Sequence, residues 1–433
     1  MNRDILRLAI PNIISNITVP LLGMIDMFIV GHLKETAFIG AIAVANILFN
    51  VIYMSFSFLR MGTSGFTAQA YGAEDKQEQA NILLRALSVA FGAGFLMILL
   101  QFAIGSIGFY LIDGGASVKE FAKEYFYIYI WAAPAILGLS TMNGWFVGMQ
   151  NAKTPMYTAI AVNIINIILA FTFVYGFGMQ IKGIALATTI AQYSGLLISF
   201  VIWNLKYGEI KSYLDFKRLK ILKDYIPFFR VNADIFLRTM ALVSVSTFFI
   251  STSAKMGDDV LAVNALLMQL FMLFSYVMDG FAYAAEALTG RFVGARTIEM
   301  LKSLIKRLFV WGLSLSVLFT LAYALFTDEI LHLLTDKVEV IAISQQYQFW
   351  ALLIPIAGFS AFLWDGIFIG ATASKQMRNS MLVAVSVFFL IQFGFNPTHD
   401  NNILWFAFII YLFLRGVVQA FMARSILFKP IKK

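Results

Sequence analysis

Long apolar runs separated by short polar connectors recur from end to end of the chain. Twelve of them are long enough to cross ~30 Å of hydrocarbon as helices. They fall at about 8–31, 37–62, 86–112, 121–149, 155–178, 183–205, 226–252, 259–290, 304–327, 341–370, 376–395 and 402–426. The pattern predicts an all-α membrane protein with no large soluble domain. The longest polar connector, 206–225, lies between spans 6 and 7. It divides the chain into an N-terminal lobe, 1–205, and a C-terminal lobe, 226–433, with a basic cytoplasmic linker between them. Its alternation of apolar and basic residues suits a helix lying on the bilayer surface. Arg3 and Arg7 precede the first run, which is too long for a signal-peptide core and has no small-residue cleavage pattern. It is expected to stay in the mature protein.

The two halves repeat each other. A shift of 222 carries Phe146-Val147-Gly148 and Lys153 onto Phe368-Ile369-Gly370 and Lys375. The same shift carries Gly72-Ala73 onto Gly294-Ala295 and Asn143 onto Asp365. A shift of 218 carries Ala43-Val44-Ala45-Asn46 onto Leu261-Ala262-Val263-Asn264. Six spans per half is an even number, so both halves enter the membrane from the same side. The lobes should therefore be related by a pseudo-two-fold axis along the membrane normal. Repeated halves around a polar cleft are how many secondary transporters are built, with the ligand held near mid-membrane.

Composition agrees with the pattern. Hydrophobic residues make up 60% of 433 and charged residues 13%, well below the roughly one quarter of a soluble domain. Mean hydropathy is +0.80. The net charge of +8 would suit nucleic acid, but its distribution points elsewhere. With the N-terminus inside, the outer connectors hold only Lys34, Lys119, Lys123, Lys182, Lys255 and Lys337. The spans hold Arg60, Arg238 and Arg415, and the rest of the 32 Lys and Arg lie on the inner side with both termini. That is the positive-inside bias, an insertion signal, and no nucleic-acid partner is expected. The absence of cysteine excludes disulfides, thiolate metal sites and cysteine nucleophiles. The 43 Phe and 19 Met mostly have to face lipid or fill helix contacts, so their number decides nothing.

Ionisable groups inside the spans are few, and each is costly unless it faces protein or water. Asp26 is the single charge in 8–31. Asn12, Ser15, Asn16, Gly23 and Asp26 share a roughly 100° arc of that helix, a polar stripe ending in a carboxylate. Pro11 and Pro20 interrupt its backbone ladder and make it bendable. Span 5 carries Asn163 and Asn166 one turn apart, and span 6 carries Thr188 and Thr189. These amides and hydroxyls could hydrogen-bond Asp26, complete an oxygen shell round a cation, or simply join helices. In span 8, Tyr276, Asp279, Tyr283, Glu286 and Gly290 share a face. Its acids could line a watery cavity or be satisfied by arginines such as Arg415. Asp365 in span 10 stands where the first half has Asn143. Asp234 and Arg238, four apart in span 7, read as a self-neutralising structural pair, and Arg60 as a buried counter-charge.

One enzymatic signal competes. Gly62-Thr63-Ser64-Gly65 matches the Gly-x-Ser-Gly element of intramembrane serine proteases. Such a serine needs a base, and His32, His332 and His399 all lie away from mid-span. The glycines read better as helix-packing residues, and no catalytic residue, cofactor or resident metal is expected.

Three stretches resemble the multidrug and toxic compound extrusion (MATE) transporters, in their DinF branch. They are Pro20-Leu21-Leu22-Gly23-Met24-Ile25-Asp26 with Gly31-His32-Leu33, then 58–73, then Asp279-Gly280-Phe281-Ala282-Tyr283-Ala284-Ala285-Glu286-Ala287. The likeness runs from about residue 5 to 425. It implies two six-helix lobes round a central cleft and export of amphiphilic, often cationic compounds in exchange for protons or sodium. It also implies Asp26 as the coupling acid, with span 1 bending near Pro11 and polar partners at Asn166 and Thr188. Many relatives carry a second acid one turn after that asparagine, where this chain has Ala170. That departure weakens a sodium site and favours protonation of Asp26. Asp365 matches the span 10 acid of another branch, and Glu286 fits the DinF pattern. The expected protein is a monomeric antiporter of a bacterial inner membrane, with Asp279, Tyr283, Glu286 and Asp365 as substrate-cavity candidates. A lipid-linked precursor flippase and a sodium-coupled antiporter are the alternatives.

Overall fold

A computed structural model describes residues 1–427 apart from 34, 36, 112–114 and 398, and gives only the backbone of Val19, Leu222 and 425–427. Lys34, counted above among the outer cations, and the terminal 428–433 lie outside the described residues. Among the described residues, twelve helices are long and apolar enough to cross a bilayer. They are Asn2–Gly31, Ala37–Gly72, Lys76–Leu99, Ala116–Gly148, Lys153–Gly176, Gln180–Lys206, Lys223–Lys255, Asp258–Gly294, Ile298–Leu334, Gln348–Gly370, Ser374–Phe395 and Asn401–Arg424, called spans 1 to 12. No strand occurs among the described residues. Hydrocarbon offers backbone groups no partners, so each span satisfies its own ladder as a helix.

Hydropathy finds the spans but misplaces several ends. Span 3 starts at Lys76, a turn and more before its apolar part, because the Asp75 side chain caps it by accepting the Glu78 amide at 2.9 Å. It ends at Leu99, and Gln101–Leu111 follows as a separate short helix. Span 10 begins at Gln348, with its expected first turns forming the separate helix Val338–Ser344. Within span 4 the three residues Ile130–Ala132 tighten into a 3-10 turn just before Pro134, whose missing N–H cannot extend the regular ladder. The linker is two 3-10 segments, Gly208–Tyr213 and Phe216–Lys220, rather than one surface helix. Asp215 starts the second by accepting the Lys217 amide at 3.0 Å.

The chain forms two compact units, one of Ile14–Phe229 and the other of Met1–Ile13 with Arg230–Lys433. The unit boundaries fall inside spans 1 and 7, each two residues past an Ile-Pro pair, Ile10-Pro11 and Ile226-Pro227. The opening turns of span 7 belong to the first unit. There Tyr225 Oη lies 3.2 Å from Ser88 Oγ, and Arg85 Nη1 donates to the Asp224 carbonyl at 3.3 Å. The opening turns of span 1 belong to the second unit. There a Cβ on Gly280 would sit 2.9 Å from the Ala9 carbonyl oxygen.

Each unit is closed by a glycine seam at repeat-related positions. In the first, a Cβ on Gly144 would lie 2.3 Å from the Arg60 carbonyl oxygen, and one on Gly148 2.8 Å from that of Ser64. In the second, a Cβ on Gly366 would lie 2.1 Å from the Ala282 carbonyl oxygen, and one on Gly370 2.3 Å from that of Glu286. The 222 shift maps all four contacts onto one another. Small residues there let spans 2 and 4, and spans 8 and 10, approach backbone to backbone.

Candidate functional site

In the first unit, polar groups gather on spans 1, 4, 5 and 6. Span 1 runs on as one helix through Pro11 and Pro20. Asp26 Oδ1 is closed to solvent and accepts no hydrogen bond among the described residues. No described lysine or arginine neutralises the carboxylate. Its company is phenolic instead, for Tyr125 and Tyr129 of span 4 lie close enough to feel its charge. Tyr125 in turn lies beside Thr188. Thr188 Oγ1 donates to the Ile184 carbonyl at 2.9 Å and accepts from Asn166 Nδ2 at 2.9 Å. Asn166 Oδ1 is left buried without a donor. Asp26, Asn166 and Thr188 thus belong to one neighbourhood joined through Tyr125.

Asn163 does something different. Its Nδ2 donates to the Thr18 carbonyl at 3.1 Å, tying span 5 to the backbone of span 1 two residues before Pro20. Thr189 is spent on the Ala185 carbonyl of its own helix at 2.8 Å. Ala170 is fully buried in an apolar cluster with Ile184 and Ala187, so no second carboxylate stands there.

Sequence reasoning missed the tyrosines. Tyr53, Tyr125 and Tyr129 surround Phe49, with ring centroids 5.6, 6.5 and 4.6 Å from it. Tyr53 Oη is buried without a hydrogen-bond partner. The four-residue spacing of Tyr125 and Tyr129, a stripe of hydroxyls on one helix face, was the available signal. It was lost among 17 Tyr and 43 Phe.

In the second unit two buried acids, Asp365 and Asp234, are paired with arginines. Asp365 Oδ2 accepts from Arg238 and, at 2.8 Å, from Arg415 Nη2, while Oδ1 accepts from Gln419 Nε2 at 2.6 Å. Arg415 also lies over the Tyr411 ring, 5.5 Å from its centroid. Asp234 accepts from Arg378 Nη1 at 2.5 Å and from Ser374 Oγ at 2.8 Å. The expectation that Asp234 and Arg238 neutralise each other is therefore corrected. Each reaches a different helix, because a buried ion needs several hydrogen bonds at good geometry and an i, i+4 neighbour supplies few. Glu286 is 1% exposed and its backbone lies in the seam against Gly370, while Asp279 and Tyr283 on the same span are partly exposed. The hydrogen bonds of Asp365 given above come from Arg238, Arg415 and Gln419. Ser64, the candidate nucleophile, is fully buried in the first unit's seam, and Oγ has no hydrogen-bond partner among the described residues.

The MatE family profile matches residues 11–172 and 235–398, one stretch in each half. The chain is 37% identical over 422 residues to DNA damage-inducible protein F of Escherichia coli K12, covering 95% of this chain and 90% of that protein. It is 23% identical over 414 residues to Protein DETOXIFICATION 45, chloroplastic, of Arabidopsis thaliana, covering 88% of this chain and 71% of the relative. A crystal structure of MATE in the bent conformation superposes with a TM-score of 0.85 at 21% identity, covering 98% of this chain and 95% of that one. The chain belongs to the MatE family, as a twelve-helix multidrug and toxin extrusion transporter of the membrane.

Proposed function

We propose that the protein is a proton-driven antiporter that exports amphiphilic organic compounds, cationic or neutral, by alternating access, with Asp26 as the coupling acid. The observation that carries this reading is Asp26 itself, a carboxylate inside a span that, among the described residues, has no cation to neutralise it and one oxygen buried without a donor. Protonation turns an acceptor that lacks a donor into a donor, so it changes the hydrogen bonding that Tyr125, Thr188 and Asn166 can offer. Residues on span 1 beyond Ile13 and those before it belong to different units, which gives a change at Asp26 a backbone route towards Pro11.

One proton moving inward down ~100 mV releases about 2.3 kcal/mol. At about 1.4 kcal/mol per decade, that sustains roughly a 50-fold gradient of a neutral compound. One-for-one exchange for a monovalent cation moves no net charge, so a cationic cargo needs a pH gradient or more protons. The substrate-cavity assignments Asp279, Tyr283 and Glu286 belong to this reading, while Asp365, held by Arg238, Arg415 and Gln419, fits a structural anchor better. So do a monomer, a bacterial inner membrane and cytoplasmic termini. The E. coli relative supports the location, and the charge bias of the connectors supports the orientation.

The test is efflux of a fluorescent organic cation from proteoliposomes, with proton and sodium gradients imposed separately. The proton gradient should drive efflux, and Asp26→Asn should lower that efflux roughly tenfold or more, about 1.4 kcal/mol. Efflux driven by sodium alone, or full proton coupling in the variant, would sink the assignment.

A further inference from the structure

The inner end of span 9 is unlike a plain lipid-facing helix end. Together with the first turn of span 1 it forms an open groove of about 560 Å³, lined by Asn2, Ser303, Lys306, Arg307 and Ser314, with Val310 and Trp311 at its deep edge. Both belong to the same compact unit. Lys306 and Arg307 are exposed, and Arg307 Nη1 donates to Asn2 Oδ1 at 3.1 Å, which fixes the guanidinium and leaves most of its donors for a ligand. The nearby acids are spent elsewhere. Glu299 pairs with Lys302 at 2.9 Å, and Asp4 with the N-terminal ammonium at 2.8 Å. The groove therefore carries two cations without an acid of its own.

Trp311 packs on Phe281, centroids 6.0 Å apart, and indoles favour the membrane–water boundary. Beyond it span 9 presents an apolar ladder, with Val310 59%, Leu313 51%, Val317 45% and Leu321 55% exposed. From Val310 to Leu321 the helix rises about 16 Å at 1.5 Å per residue. That matches half of a ~30 Å hydrocarbon core. Basic groups, a boundary indole and a leaflet-deep apolar strip follow one another along one helix.

We propose that this groove seats an anionic phospholipid of the inner leaflet, its phosphate held by Lys306 and Arg307 and its acyl chains laid along span 9. Arg307 offers a planar fork to two phosphate oxygens, and Lys306 a compact charge beside it. A zwitterionic lipid presents the same phosphate with a compensating cation and gains less. The seat uses none of the residues assigned to coupling and takes from the proposed function only the side of the membrane on which span 9 begins.

The purified full-length protein is examined by native mass spectrometry with phosphatidylglycerol and with phosphatidylcholine of the same chains. Retention of phosphatidylglycerol should exceed that of phosphatidylcholine roughly thirtyfold, as two basic side chains near a phosphate imply. Lys306→Ala with Arg307→Ala should bring the two lipids level. Excess inorganic phosphate should leave the lipid bound. Equal retention by the wild-type protein, or unchanged preference in the double variant, would overturn the proposal. Displacement by inorganic phosphate would also overturn it and mark a free-anion site. Should the double variant not fold, brominated phosphatidylglycerol provides the second reading. It should quench a component of tryptophan fluorescence that disappears in Trp311→Phe, and an identical quench in both proteins would count against the seat.

Discussion

Two carboxylates inside spans, Asp26 half-buried in the first unit and Asp365 buried in the second, show how differently the two halves can treat a charge. Asp26 has phenols beside it and no counter-ion among the described residues; Asp365 has two guanidiniums and an amide. A charge fixed by ion pairs costs much to disturb and is poorly placed to gain a proton, because its partners favour the ionised form. A charge among neutral polar groups can change state with less rearrangement. The repeat partner of Asp365 is Asn143, whose Oδ1 is buried without a donor. The second unit thus acquired an acid together with cations to hold it. On the proposed function, coupling chemistry belongs to the first unit and Asp365 is a structural anchor of the second.

The sharpest way to break that comparison is to remove each acid. Asp365→Ala leaves Arg238 and Arg415 buried without their carboxylate, and should cost about 3–5 kcal/mol of stability. Asp26→Asn keeps the shape and removes a charge that had no counter-ion, so its effect on stability should be small or favourable. Thermal unfolding in detergent, followed by tryptophan fluorescence, checks both. A fall for Asp26→Asn as large as that for Asp365→Ala would mean that both acids are structural anchors.

The glycine seams test whether the units are alike where their charges are not. Gly144→Ala and Gly366→Ala each place a methyl group 2.1–2.3 Å from a backbone oxygen of the facing helix, which cannot swing aside as a side chain would. Each should destabilise by about 1–3 kcal/mol, and by similar amounts in the two units. The same unfolding assay decides. If one seam tolerates alanine and the other does not, the repeat has diverged in packing as well as in charge.

How much of this was legible in the sequence follows from what each signal measures. The twelve spans were legible because the bilayer forces every crossing segment to be long, apolar and helical. The start of span 3 was not, since Lys76 to Arg85 is polar and only the Asp75 cap reveals that it is helical. Asp26, Asn166 and Thr188 were legible as rare polar groups in apolar helices, and the structure brings them into one neighbourhood. Partner choice was not. Asp234 and Arg238 look like a pair along one helix, yet their partners come from residues over a hundred positions away. Tyr125 and Tyr129 were hidden for another reason, as aromatic residues in a membrane protein carry little information until a charge is found beside them.

The smallest effect concerns the link between span 5 and span 1. Asn163→Ala removes one hydrogen bond, to the Thr18 carbonyl, and such bonds between membrane helices average about 0.6 kcal/mol. Unfolding should hardly register the loss. Thr18 lies two residues before Pro20, where the backbone ladder of span 1 is already missing a donor. If span 1 changes shape during transport, freeing that point should alter the rate of proton-driven efflux more than the stability. Asn166→Ala is the companion variant. It loses the bond to Thr188 within the Asp26 neighbourhood, so it should shift the pH profile of efflux where Asn163→Ala changes only its rate. A shared effect on the pH profile would place both amides in the coupling network, and the distinction between tether and network would fail.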